Sequence, residues 1–361
     1  MSNYNVFLNN LKSEKQKNKL KEIFELLQIE KEEIIKKEIE IDHKHLEIVN
    51  FCANLFKPFT MLYRETEYKL LLYEPLSELD IRNFDIAIYN TNSNVLLLVE
   101  CKSSYSDHKD KVDEIREEIK IMNENLAKLE DAIGDDIKKI EYVYCLPSND
   151  ALDLGKKAYS ENLEICIWCY DGYLGEIKLF THPEEMTVDG INNGRLHGNT
   201  KLLSFLANGV ESTFRAARSF SFLPSSHIFT ILLDVIITLV RTMSKYGEWD
   251  GYFEFSDIYE IIKKNVAQPN TLRESNIIDL VENVIEIGLK KELIIDSTPS
   301  IIEKENKKYK LNNKAIRIRA INKIVKNNYV EINAIKLAKH NAVDLFKEET
   351  GYKDMTDYLE N

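Results

Sequence analysis

Two periods of apolar and polar positions run along this chain. From Leu8 to about Ile41, apolar residues at Leu20, Ile23, Phe24, Leu27, Ile34 and Ile35 recur at helical spacing among Lys and Glu, which predicts an amphipathic N-terminal helical arm over residues 1–41. Asp42 is placed to cap a second helix whose stripe, Leu46, Val49, Ala53 and Phe56, runs up to Pro58. Three strand-like runs follow, Tyr68 to Tyr73, Phe84 to Tyr89 and Val95 to Cys101, and Thr91 to Asn94 join the last two as a hairpin. A long charged helix from Lys109 to Ala132 ends at Gly134, and a strand from Ile140 to Leu146 leads to a short helix from Asp150 to Ser160. Strands from Leu163 to Tyr170 and from Glu176 to Phe180 complete the region. This order predicts an α/β domain over residues 42–181, a mixed central sheet flanked by helices.

Residues 182–225 begin with Pro, Gly, Asn and Asp without periodicity, a linker, and continue as a helix from Leu202 to Phe222 with Arg215 and Arg218. Residues 226–325 read as a helix (Ile228 to Met243), a short strand (Tyr252 to Phe255), a helix capped by Ser256 (Asp257 to Lys264) and a helix (Leu272 to Leu289). Strands Leu293 to Asp296 and Lys307 to Leu311 flank a turn around Pro299. Three helices followed by a two-stranded ribbon resemble a mainly α winged helix-turn-helix domain. Residues 326–361 form a helical tail.

A chain of 361 residues suits two such domains plus connections. The net charge of −12 speaks against a uniformly basic, polyanion-coating surface, but its distribution matters more. Residues 1–200 hold 25 Lys and Arg against 38 Asp and Glu, whereas residues 301–340 hold 11 against 3, so the later segment is the electrostatic handle for any nucleic acid. Five cysteines and an N-terminus without basic and apolar signal regions imply a reducing, cytoplasmic setting with no disulfide. The longest apolar run, Ile228 to Val240, is interrupted by Asp234 and is too short to cross a bilayer, so no membrane partner is expected.

The chemistry lies in residues 84–104, FDIAIYNTNSNVLLLVECKSS. Strand alternation puts Asp85 on one face with Ala87 and Tyr89, and Phe84, Ile86 and Ile88 on the other. Glu100 and Lys102 share a face with Leu96 and Leu98, and Cys101 points away. If Asn90 pairs with Val95, Asp85 falls opposite Glu100, with Cβ atoms about 4.5–5.5 Å apart. Two carboxylates at that distance call for a cation between them, and Mg²⁺ is the usual oxygen-ligated choice. Lys102 adds a positive charge beside them. Hydrolysis of a phosphodiester, itself an anion, needs charge neutralisation, a positioned water and a stabilised leaving oxygen, and such a set provides these.

Asp85, fourteen intervening residues and then Glu100-Cys101-Lys102 resemble the PD-(D/E)xK, restriction-endonuclease-like nuclease superfamily, whose helix, three strands, helix, strand core the order from Asp42 to Tyr170 also matches. Phe84 stands where the family name has proline. The resemblance implies a Mg²⁺-dependent endonuclease acting on DNA, with Mn²⁺ able to substitute, of the kind used in restriction or other anti-invader defence. It implies Asp85 and Glu100 as metal ligands and catalytic residues, the Cys101 carbonyl as a further ligand, Lys102 as the catalytic lysine, and Glu47 as the additional glutamate of the first helix. Glu65 and Glu67 compete with Glu47. Double-strand cleavage by single active centres calls for a homodimer or a partner subunit. The rival readings are a non-catalytic nucleic-acid-binding or regulatory protein on a degenerate nuclease scaffold, and a nuclease subunit active only within a larger assembly.

Cys166 and Cys169 have zinc-like spacing but face opposite ways in a strand, which favours buried thiols. His43 and His45 are candidate metal ligands by residue type, but read at a helix start beside charged residues they are expected to be exposed, and His108, which follows the Glu-x-Lys strand, is a further candidate to approach the site. In the winged-helix-like region Arg273, Ser275 and Asn276 open the third helix, but Glu274, Asp279, Glu282 and Glu286 oppose phosphate contact. Lys304, Lys307, Lys308 and Lys310, followed by Lys314, Arg317 and Arg319, suit a DNA backbone better. Packing of this domain on protein is the alternative.

Overall fold

The computed structural model describes residues 3–58, 60–76, 83–104, 111–180, 197–211, 222–246, 252–267, 274–290, 294–296, 307–311 and 318–352. The chain divides into two compact units. One comprises Met1–Glu40, His227–Ile261 and Asp279–Asn361, and the other Ile41–Ser226 and Ile262–Ile278.

The N-terminal segments are α1 (Asn3–Asn10) and α2 (Glu14–Leu55). Asp42 was expected to start a new helix, but α2 runs straight through it. Buried Ile35, Ile39, Leu46, Val49 and Ala53 keep one unbroken 3.6-residue stripe, and such periodicity outweighs a capping residue.

In the second unit, α3 (Met61–Thr66) is capped by Thr60, whose hydroxyl accepts from the Tyr63 N–H. It leads into β1 (Tyr68–Tyr73), β2 (Ile86–Asn90) and β3 (Val95–Cys101). Then come α4 (Lys111–Glu124), α5 (Leu126–Ile133), β4 (Lys139–Pro147), α6 (Ser148–Ser160), β5 (Ile165–Asp171) and β6 (Glu176–Phe180). The single charged helix expected from Lys109 is thus two, broken at Asn125, whose side-chain amide donates to the Ile121 carbonyl. Gly134 closes α5 in the left-handed region, as its position in the sequence predicts.

The seven strands lie in sequence order, β1 to β7 (Val210–Glu211), in one mixed sheet. Pairs β1–β2, β2–β3, β5–β6 and β6–β7 are antiparallel, and β3–β4 and β4–β5 are parallel. One face packs on Leu46, Val49, Leu62, Leu202 and Leu206, from α2, α3 and α7 (Thr200–Asn208), and on Phe56 just after α2. The other packs on Val112, Ile115, Met122, Leu129, Ala151 and Leu154, from α4, α5 and α6. With both faces covered, Val95–Cys101 can be apolar almost throughout, and the acid near its end stands out.

The helix expected from Leu202 to Phe222 stops at Asn208, and β7 (Val210–Glu211) follows. Gly209 lies between them at φ +86°, a backbone that a side chain strains, and an added Cβ would meet the Glu176 carboxylate. Gly209→Ala is therefore expected to lower stability by about 1 kcal/mol or more, read as a lower urea midpoint at unchanged slope. Arg215 and Arg218 lie outside the described residues.

A buried polar cluster ties the start of α7 to β4. His197 is buried, and its Nδ1 lies 2.8 Å from Glu141 Oε2, while Gly198 N–H and Lys139 Nζ donate to Glu141 Oε1 at 3.0 and 2.8 Å. The Trp168 indole N–H donates to His197 Nε2 at 2.9 Å. An indole can only donate, so Nε2 must accept and the ring is the neutral Nδ1–H tautomer, donating to Glu141.

The first unit contains α1, the N-terminal part of α2 and α11 (Ile318–Thr350), joined through Tyr4, Phe7, Leu11, Leu20, Ile23, Ala342 and Phe346. It also contains α8 (Ile228–Tyr246) and a three-stranded sheet in the order β8 (Tyr252–Phe253), β10 (Tyr309–Leu311), β9 (Ile294–Asp296). Between β8 and β9 in sequence run α9 (Phe255–Asn265) and α10 (Glu274–Lys290). Ser256, expected as the cap of α9, lies inside its first turn. The Asp257 carboxylate accepts from the Glu254 N–H there instead.

Candidate active site

The β2–β3 hairpin has the register the sequence predicts: Asn90 pairs with Val95, and the ladder runs to Ile86 opposite Val99. One step further sets Asp85 level with Glu100. Asp85 lies just before β2, and the ladder is finished by its side chain, because Asp85 Oδ2 accepts from the Cys101 backbone N–H at 2.6 Å. Its carbonyl accepts from the Glu74 N–H at 2.9 Å. Phe84 packs with Ala87 and Tyr89, on the face expected for Asp85, and the Asp85 carboxylate instead meets His45 of α2, the helix that covers the other face, because both residues precede the regular strand.

Four carboxylates are buried at this end of the second unit: Asp85, Glu100, Glu74 and Glu118. Lys102 Nζ donates to Glu100 Oε1, and Tyr144 donates to Glu118 Oε2. Burial first, then the charges of Asp85 and Glu118, push the Glu100 carboxyl up to about 8 against the pull of Lys102. Burial and Asp85 likewise push Glu74 up to about 7, against a hydrogen bond from the Ser225 hydroxyl. Burial disfavours charge on Lys102, but Glu100, Glu118 and Asp85 outweigh it and raise its pKa, so it stays an ammonium.

Sequence reasoning placed His45 at an exposed helix start. It lies within α2, partly buried, with Nε2 2.9 Å from Asp85 Oδ1. Burial would lower its pKa, yet the Asp85 charge and hydrogen bond, with Glu100, raise it to about 9. His45, not Glu47, is therefore the α2 residue against Asp85. Side chains two residues apart on a helix diverge by about 200°, and Glu47 instead accepts from the Tyr170 hydroxyl at 2.7 Å. Glu67 is exposed and accepts from Asn92, and exposed Glu65 pairs with Lys201. The Cys101 side chain turns away into a buried group with Cys52, 3.9 Å from it, and Cys145. Burial pushes the Cys101 and Cys145 thiols up, so Cys101 serves the site through its backbone. Cys166 and Cys169 pack on opposite sheet faces.

Glu74 and Glu118 were missed as partners of this centre, and His45 was set aside as exposed. Glu118 was findable, since it interrupts the apolar stripe Val112, Ile115, Met122 of α4. Glu74 gives a fainter signal, an acid directly after the strand YKLLLY.

The donor set suits a hard divalent cation, since it is oxygen-rich and holds more buried acids than cations. The carboxamide of Asn83, two residues before Asp85, also has buried N and O atoms without a hydrogen-bond partner. Among the described residues no three His, Cys, Asp or Glu side chains already converge as a metal cage. Lys102 and His45 occupy the carboxylate oxygens of Glu100 and Asp85 in this state.

Of the other expected contacts, Asn276 is exposed on α10, Lys307 is exposed before β10 and Lys308 is half-buried. Lys310 Nζ stands 4.4 Å over the ring of Tyr252. Arg273, Lys304, Lys314, Arg317 and His108 lie outside the described residues, as does the side chain of Arg319.

No family model matches the chain, and no solved structure matches it. A stretch of 117 residues, 30% of the chain, is 27% identical to an uncharacterized protein of Archaeoglobus fulgidus, of which it covers 31%. The match thus spans less than a third of that relative. Among the described residues no helix is long and apolar enough to cross a membrane.

Proposed function

We propose that the chain is a cytoplasmic, Mg²⁺-dependent endonuclease that hydrolyses phosphodiester bonds of DNA, in restriction or other anti-invader defence, on a restriction-endonuclease-like domain joined to a winged-helix-like module. The observation that carries this reading is the gathering of Asp85, Glu100 and Lys102 at the ends of two paired strands, with the Glu100 carboxyl raised to about 8 by burial first and then by the charge of Asp85. A cation relieves such repulsion. Held by Asp85 and Glu100, Mg²⁺ would neutralise the phosphate and activate a water. The Cys101 N–H and His45 fix the Asp85 carboxylate from two sides. Lys102, kept protonated by its acidic neighbours, stabilises the charge that develops on the phosphate oxygens and cannot act as the base.

Purified protein with plasmid DNA or RNA, in Mg²⁺ or Mn²⁺ and then in EDTA, tests this reading. Metal-dependent cleavage of DNA is expected. No cleavage of any substrate would favour a scaffold or a subunit that works only inside a larger assembly.

Over residues 228–311, the order helix, strand, helix, helix, strand, strand with the sheet β8-β10-β9 supports the winged-helix-like reading. Lys307→Glu together with Lys308→Glu is expected to weaken DNA binding and to flatten its salt dependence by about two released counterions. Unchanged binding across a salt titration would assign this module to protein contacts.

A further inference from the structure

The turn between β5 and β6 exposes two apolar side chains side by side, Tyr173 at 93% and Leu174 at 44% of their surface. A single exposed aromatic is ordinary, but this one is mounted on a braced support. The Asp171 carboxylate accepts from the N–H groups of both Tyr173 and Leu174 at 2.9 Å, the Asp171 carbonyl accepts from Gly175 at 2.7 Å, and Gly175 takes φ +64°. Asp171 spends its charge on the turn's own backbone.

Position adds the second argument. Strands β3, β4 and β5 are parallel, so β5 ends on the same side of the sheet as Glu100 and Lys102. Glu100 is level with Tyr144, and Tyr144 with Ile167. Asp171 lies four residues beyond Ile167, so the turn stands about 13 Å past the level of Glu100 and two strands, about 10 Å, to one side. A polynucleotide held at the carboxylates and running toward β5 would reach this tip within a few nucleotides of the cleaved bond.

We propose that the β5–β6 turn is a nucleic-acid contact in which the ring of Tyr173 stacks on an unpaired base of the substrate. The proposal rests on the endonuclease reading and deepens it to a substrate class, DNA with single-stranded or splayed bases near the cut. An exposed ring with two side-chain torsions is a low-cost stacking platform for any base.

Binding of a fluorescein-labelled single-stranded oligonucleotide and of a fully paired duplex, in Ca²⁺ to hold off cleavage, tests it by anisotropy. Tyr173→Ala is expected to weaken single-strand binding by about 5- to 150-fold, Tyr173→Leu to do the same, and Tyr173→Phe to bind as wild type. All three should unfold at the wild-type midpoint, because the side chain is exposed. Unchanged binding by Tyr173→Ala, an equal loss with Tyr173→Phe, or an equal loss on paired duplex would overturn the stacking role. Wild-type protein that cleaves DNA while Tyr173→Ala binds normally would remove only the role of the turn. Wild-type protein that binds neither oligonucleotide would remove the endonuclease reading with it.

Discussion

Asp85→Asn and Lys102→Ala are each expected to lower Mg²⁺-dependent cleavage of plasmid DNA by about 10²- to 10³-fold or more, with the far-ultraviolet circular dichroism unchanged. Asn keeps the size of Asp and can still accept from the Cys101 N–H, so what it removes is the charge that would hold the cation. Lys102→Ala acts twice: it removes the ammonium that would face the phosphate, and it leaves Glu100 buried without its cationic partner. The Glu100 carboxyl already stands at about 8. A carboxylate must lose its proton to bind a cation, so cleavage should rise as pH rises toward that value, and more Mg²⁺ should move the midpoint to lower pH. His45→Ala should act more mildly, with a loss of about 10- to 100-fold in apparent metal affinity, as expected for a residue that positions a ligand. Full activity in either Asp85→Asn or Lys102→Ala would sink the site assignment. A midpoint indifferent to Mg²⁺ concentration would separate Glu100 from the cation.

The legible parts of the structure were those where one periodicity dominates. The strands Tyr68–Tyr73, Val95–Cys101 and Glu176–Phe180 were readable to the residue, because apolar runs bounded by turn residues have sharp ends. The hairpin register followed from a four-residue turn and strand parity, and with it the level of Asp85 against Glu100. The failures have different causes. Asp42 looked like a cap, yet the apolar stripe continues through it. Gly209 was passed over inside a helical run, although it forces the chain out of the helix. His45 could not be paired with Asp85 from sequence, since that contact depends on how α2 lies over the sheet, and Glu74 could not because it depends on the register of β1 against β2.

Glu141→Ala is expected to destabilise the second unit by about 3–5 kcal/mol, the cost of leaving the partners of a buried charge unsatisfied. His197 has no exposed side-chain surface, and its Nδ1–H would lose its acceptor while Trp168 still occupies Nε2. Glu141→Gln separates charge from shape, because an amide oxygen can still accept from His197. Burial alone would raise the Glu141 carboxyl, but hydrogen bonds from His197, Lys139 and the Gly198 N–H outweigh it and hold its pKa below the ordinary carboxylate range. In the unfolded chain it sits near about 4.3. A depressed folded pKa contributes stability above the unfolded value and loses it as pH falls toward the folded one. The wild type should therefore lose stability from this group as pH falls below about 5, whereas Glu141→Gln should start lower and lose correspondingly less. Urea midpoints measured across that range should converge at the acid end. Parallel curves would show that the Glu141 charge is not what secures the start of α7 to β4.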